Sequence, residues 1–218
     1  GFTIEVVHIS ATPAYHIPAR VLIPKKAAGQ KLPAVLALHC HSGKYTWGHE
    51  KVLSSPGELP LLTEFRNGTY GRPWAEALVR RGFLVIAIDA FYFGERKLRV
   101  EQMEASRVFG DVKDGYVRVM APAAKPDTPE WHNARNRVLS YYEHHTAKTI
   151  TATGATWPGI HVWDEMRTVD YAMSRADVDP ARIGCVGLSG GGFRTAMAIA
   201  ADARIKVACV TGWMTEFA

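Results

Sequence analysis

Residues 182–201 constrain the fold more than any other stretch of this chain. Arg182-Ile183-Gly184-Cys185-Val186-Gly187 reads as a buried strand, and Gly192 to Ala201 reads as an alanine-rich helix. Only Gly187-Leu188-Ser189-Gly190-Gly191 lies at their junction. So sharp a turn needs residues without side chains where strand and helix approach, and it forces the middle residue into strained backbone angles. Ser189 is that residue. It projects above the sheet at a helix N-terminus, where backbone N–H groups favour developing negative charge. A serine hydroxyl becomes a useful nucleophile only when a base takes its proton and a donor pair holds the oxyanion. The turn supplies part of that by geometry, which makes Ser189 the candidate nucleophile. The plainer alternative is a glycine-rich turn with a bystander serine. A dinucleotide-binding turn has a different glycine register, and no Lys-Ser or Lys-Thr pair follows as in a phosphate-binding loop.

The rest of the chain alternates strand-like and helix-period segments. Ile4 to Ile9 and Ile17 to Ile23 read as a hairpin closed by Pro24. Pro33 to His39 and Phe83 to Ile88 are continuous apolar runs, as expected of strands covered on both faces, the second stopped by Asp89. A long polar loop separates them, followed by a short helix over Trp74 to Arg81 between Pro73 and Gly82. Val162 to Ser174 is an amphipathic helix whose apolar positions are Val162, Met166, Val169 and Met173. Val207 to Val210 is a last strand. The pattern predicts an α/β fold with a mainly parallel central sheet flanked by helices. The segment from about 94 to 159 breaks the rhythm with Pro122, Pro126, Pro129 and Pro158. It holds a helix-like piece near Asn133 to Lys148 and is expected to form a lid or binding wall. Trp157-Pro158-Gly159 and Tyr141-Tyr142 fit pocket walls or core.

Composition narrows the function. With 218 residues, 47% of them hydrophobic, residues 1–218 are expected to form one domain with a sizeable core. The net charge of +5 is scattered rather than striped, which reads as surface solvation and argues against a nucleic-acid partner. Cys40, Cys185 and Cys209 lack metal-ligand spacing and are expected to be buried thiols. No apolar stretch approaches the ~20 residues of a membrane span. No basic head with an apolar core opens the chain, although a removed signal peptide would leave the same sequence, so the compartment stays open.

The strand ending Leu38-His39 is followed by Cys40-His41-Ser42-Gly43-Lys44-Tyr45-Thr46-Trp47-Gly48. With the Ser189 turn, this loop resembles the dienelactone-hydrolase and acetyl-esterase-like branch of the α/β-hydrolases. So do Asp89-Ala90-Phe91-Tyr92-Phe93-Gly94-Glu95-Arg96, Trp163 to Tyr171, and Val178-Asp179-Pro180-Ala181-Arg182-Ile183-Gly184. The matches cover most of residues 30–215 apart from the insertion. The resemblance implies hydrolysis of a small-molecule carboxylic ester through an acyl-enzyme, without metal or organic cofactor. It places the oxyanion hole at the backbone N–H groups of His41 and Gly190. Cys40 stands where the branch usually has Gly or Asp.

The same resemblance calls for an acid and then a histidine after the nucleophile. No histidine follows His161, and the acids beyond Ser189 are Asp202 and Glu216. Three expectations compete. A missing C-terminal segment or a second chain completes the sheet beyond Val207–Val210; or His144, His145 or His161 serves as base; or the scaffold is a non-catalytic binding protein. A prolyl-oligopeptidase-like peptidase is the further enzymatic alternative. His144-His145 beside Glu143 suggests no shared metal site, because adjacent residues face different sides of a helix.

Overall fold

A computed structural model describes residues 1–25, 29–99 and 125–213. In chain order these form β1 (Phe2–Thr12), β2 (Tyr15–Pro24), β3 (Leu32–Leu38), α1 (Pro60–Tyr70), α2 (Trp74–Val79), β4 (Leu84–Ile88), α3 (Pro129–Ala152), α4 (Trp157–Ser174), β5 (Val178–Leu188), α5 (Gly190–Ala201) and β6 (Ile205–Thr211). The strands make one mixed sheet in the order β1-β2-β4-β3-β5-β6. β1 and β2 pair antiparallel, as do β2 and β4, while β4/β3, β3/β5 and β5/β6 are parallel. The fully buried run Leu84–Ile88 holds β4 between β2 and β3. Helices α4 and α5 pack on one sheet face around Leu36, Ile86, Val169 and Ala198, and α2 covers part of the other around Val79, Val85 and Ala87.

Several elements depart from the sequence reading. The stretch read as a polar loop contains α1, which starts with Pro60 and ends at Gly71 in the left-handed region (φ 74°). Its inward face was hard to see because it carries Arg66, buried beside Leu62 and paired with Glu58. In α4 the buried face is His161, Asp164, Glu165, Thr168, Val169 and Ala172, whereas Met173 is exposed. The expected apolar stripe is therefore rotated. Charged residues can occupy that face because each has an arginine partner: Asp164 with Arg96 and Glu165 with Arg194. Trp157-Pro158-Gly159 form the first turn of α4, capped by the Thr156 side chain accepting from Gly159 N–H. Trp157 packs on Phe91 and Tyr92; Tyr142 is buried, and Tyr141 is largely exposed.

Two composition readings need correction. Cys40 and Cys185 are buried, but Cys209 is exposed. Among the described residues β6 pairs only with β5, so Cys209 and Val207 (two positions earlier, 68% exposed) lie on an open sheet edge. Nor is the basic charge all surface: Lys51, Arg66 and Arg194 are buried. No helix among the described residues is long and apolar enough to cross a membrane.

Candidate active site

β5 ends at Leu188, and α5 begins at Gly190, leaving Ser189 alone at the turn with φ 57° and ψ −119°. A non-glycine residue reaches this region only when its surroundings hold it there. Here the Ser189 N–H donates to the Thr211 carbonyl on β6 (2.8 Å), and its own carbonyl accepts from Phe193 N–H (2.9 Å), opening α5. Helix α5 then presses on the end of β3. A Cβ on Gly191 would collide with the Leu38 carbonyl oxygen and sit 2.9 Å from that of His39. A Cβ on Gly190 would lie 3.1 Å from the His41 backbone nitrogen. The structure thus brings together Ser189, Gly190 and His41, the three residues singled out in the sequence.

The loop carrying His41 is braced from several sides. His39 donates from Nδ1–H to the Cys40 carbonyl (2.9 Å) and accepts at Nε2 from Ala90 N–H (3.1 Å). That pairing assigns its tautomer, and burial holds its pKa well below the usual imidazole value. Cys40 N–H donates to the Tyr70 hydroxyl (2.7 Å), and Lys51 Nζ donates to the carbonyls of Cys40 (2.9 Å) and His41 (3.1 Å). The loop reverses through Ser42 and Gly43, both at positive φ.

Helix α3 supplies a clamp that sequence reasoning missed. Nδ1 of His41 accepts from Gly43 N–H (3.0 Å), which leaves its Nε2–H to donate to Glu143 Oε1 (2.8 Å). The Tyr45 hydroxyl donates to Glu143 Oε2 (2.6 Å). Burial works to raise the Glu143 carboxyl, but these two hydrogen bonds outweigh it and hold its pKa below the usual carboxylate range. The sequence clue was present, since Glu143 adjoins His144-His145. Those two histidines are exposed on α3, and only the glutamate turns inward.

Of the histidines weighed as alternative bases, His144 and His145 are exposed on α3, and His161 is engaged within the fold. His161 is buried and accepts at Nε2 from Trp157 Nε1–H (2.9 Å), so its proton sits on Nδ1, which has no partner among the described residues. Burial holds it well below the usual imidazole value. Asp202 is held by Arg204 (2.8 Å) at the end of α5. His49, Asp89 and Glu95 come close enough to share a metal ion. However, both Asp89 oxygens are already committed: Oδ1 accepts from His49 N–H and Nδ1 (2.7 Å each), and Oδ2 accepts from Glu95 N–H (2.8 Å). We read this cluster as a brace for the loop after β4.

A small cavity opens beside the turn, lined by His41, Phe93, Trp157, His161, Gly190 and Arg194. A larger apolar groove lies across the middle of β3 and β5, between α2 and β6. The smaller cavity is the better site candidate, because parallel sheets build their sites at the C-terminal ends of strands, where Ser189 and His41 stand.

A mixed, mainly parallel sheet flanked by helices, with Ser189 at the β5–α5 turn, is the α/β-hydrolase fold. Across 193 residues the chain is 28% identical to YtaP of Bacillus subtilis (strain 168), provisionally assigned as a hydrolase, covering 88% of this chain and 46% of that protein. No family model matches. A provisionally assigned acetyl xylan esterase from Bacteroides fragilis NCTC 9343 superposes with a TM-score of 0.66 at 18% identity, over 95% of this chain and 44% of its own. For a provisionally assigned dienelactone hydrolase from Klebsiella pneumoniae subsp. pneumoniae MGH 78578 the TM-score is 0.52 at 18% identity, over 99% and 62% of the two chains. A glucuronoyl esterase from Solibacter usitatus gives 0.51 at 18% identity, over 95% and 46%. The chain thus spans less than half the length of YtaP and of the acetyl xylan esterase. The branch resemblance read from the loop and turn motifs points to the same group of folds.

Proposed function

We propose that the protein hydrolyses a compact carboxylic ester, with Ser189 as nucleophile. The observation that carries this reading is the positive-φ Ser189 at a strand–helix turn, with the His41 backbone nitrogen brought against Gly190. Ser189 Oγ attacks the ester carbonyl carbon as a base takes its proton. The N–H groups of His41 and Gly190 hold the oxyanion, and the proton passes to the departing alcohol. Water then cleaves the acyl-enzyme by the same path in reverse. The base is a histidine other than His39, His41 and His161, whose accepting nitrogens already have donors. Among the structural neighbours, the esterase and dienelactone hydrolase names support a small-molecule ester as substrate.

A fluorophosphonate probe followed by peptide mass mapping tests the assignment. The expected adduct lies on Ser189 and is absent from Ser189→Ala. A folded protein that takes no label rejects the reading in favour of a non-catalytic scaffold, and a label elsewhere rejects Ser189 as the nucleophile.

The Glu143 clamp gives a second expectation. Glu143→Ala frees the His41 loop, and misplacement of about 1 Å at a reacting centre costs on the order of 10²-fold. Labelling of Ser189 is expected to slow by roughly 10- to 100-fold, measured as the rate at saturating probe. The pH dependence has a definite sign. A carboxyl whose folded pKa lies below its unfolded value stabilises the fold above the usual carboxylate range, and that contribution is lost on acidification. Thermal melts of the parent protein should fall more steeply below that range than melts of Glu143→Gln.

A further inference from the structure

We propose that Lys51 is a positioning residue for the oxyanion hole: its side-chain nitrogen, bonded to the carbonyls of Cys40 and His41, orients and polarises the peptide whose N–H faces the Ser189 turn. The inference rests on the proposed role of the His41 N–H.

Lys51 lies on the helical turn His49–Lys51 and is wholly buried. Lysine is rarely buried without an anionic partner, and a methionine would fill similar space without the cost of burying an amine. Among the described residues Lys51 forms no ion pair with a carboxylate. Its nitrogen instead meets Cys40 O at 2.9 Å, His41 O at 3.1 Å and the Phe93 ring at 4.3 Å from its centroid. Two carbonyls and one aromatic face match the three N–H bonds of an ammonium group.

The identity of the first carbonyl matters most. Cys40 O and His41 N–H are the two ends of one peptide group. That oxygen accepts from both Lys51 Nζ and His39 Nδ1–H, each at 2.9 Å. Donors on a peptide oxygen draw electron density from its nitrogen and strengthen its N–H as a donor. They also fix the plane of the peptide. The His41 N–H has no acceptor among the described residues and lies on the Gly190 side, the place for a donor awaiting an oxyanion. His41 and Gly190 line the cavity beside the turn, and Lys51 does not.

Burial pushes the Lys51 amine down to about 7, opposed by the Cys40 thiol and the Glu50 and Asp89 carboxylates, and reinforced by Arg194. Both forms of the amine can donate, but the cation polarises more strongly. In the parent protein the His41 amide proton is therefore expected to move upfield as pH rises through about 7.

Two measurements test the proposal. In ¹H–¹⁵N spectra, Lys51→Met should shift the His41 amide proton upfield and abolish its movement near pH 7, while Lys51→Arg, which keeps the cation, should stay nearer the parent. In fluorophosphonate labelling, Lys51→Met should lower the rate at saturating probe about 10²-fold, the scale of an impaired oxyanion donor, with half-saturation little changed. Lys51→Gln, which keeps N–H donors without charge, should fall between and serves in place of Lys51→Met if that variant does not fold. A folded neutral variant with the parent's labelling rate within twofold and an unmoved His41 amide overturns the proposal. If the parent itself takes no label at Ser189, the esterase reading fails separately, and an unmoved His41 amide alone still overturns the Lys51 assignment.

Discussion

Gly191→Ala is expected to lower the melting temperature by roughly 6–12 °C, corresponding to ~3 kcal/mol in a chain of this size. The added methyl would collide with the Leu38 carbonyl oxygen, and backbone in the central strand β3 cannot move aside as a flexible side chain could. The turn, the start of α5 and the end of β3 would have to separate, so Ser189 labelling should fall with stability. Gly68→Ala supplies the contrast. Gly68 is exposed in α1, and its Cβ would meet nothing within 4 Å. Alanine there should stabilise by about 0.5–1 kcal/mol through its higher helix propensity. Thermal melts of the two variants should therefore shift in opposite directions; equal shifts would contradict the close packing described at Gly191.

Arg194→Met is expected to cost about 3–5 kcal/mol, because it leaves Glu165 buried without its cation. In the parent, Arg194 Nε donates to Glu165 Oε1 at 2.9 Å, and both side chains are buried. Burial lifts Glu165 to about 7 despite the pull of Arg194. A carboxyl whose folded pKa lies above its unfolded value near 4.5 holds its proton longer in the folded state. Its contribution is complete below that unfolded value and is lost as pH rises through about 7. Removing Arg194 raises the folded pKa further and extends the loss to higher pH. Chemical denaturation of Arg194→Met should therefore show stability recovering on acidification. The double variant with Glu165→Leu should regain much of the loss and flatten the pH dependence. A single variant as stable as the parent at pH 8 would show that the pair contributes little.

Much of the architecture was legible because its signals are local. The β5 strand, glycine turn and α5 helix adjoin in sequence, so the strain at Ser189 could be read from neighbouring residues. His41 followed from its position just past β3. What escaped were pairings across long separations and polar side chains acting as core. Glu143 reaches His41 from 102 positions away, and nothing near either residue announces the other. Lys51, Arg66 and Arg194 resemble solvated surface charge until their partners are known. The same difficulty rotated the reading of α4, since Asp164 and Glu165 occupy its buried face only because Arg96 and Arg194 come to meet them. Helix α1 was hidden because Asn67 and Gly68 are poor helix formers and Arg66 stands where an apolar residue was sought.

The sheet register also bears on how the chain acquires its shape. β1 and β2 join through a two-residue connection, so their ladder closes almost without loop entropy. β3 instead pairs with β5, Leu32 opposite Val178 and Leu38 opposite Gly187, across a gap of more than a hundred residues. Such distant pairings slow folding, because a large loop must be closed before its contacts reward the closure. The Ser189 turn depends on that late pairing and on β6 beyond it. Refolding followed at the hairpin should therefore precede recovery of a labelled serine, and the interval between them would time the assembly of the site.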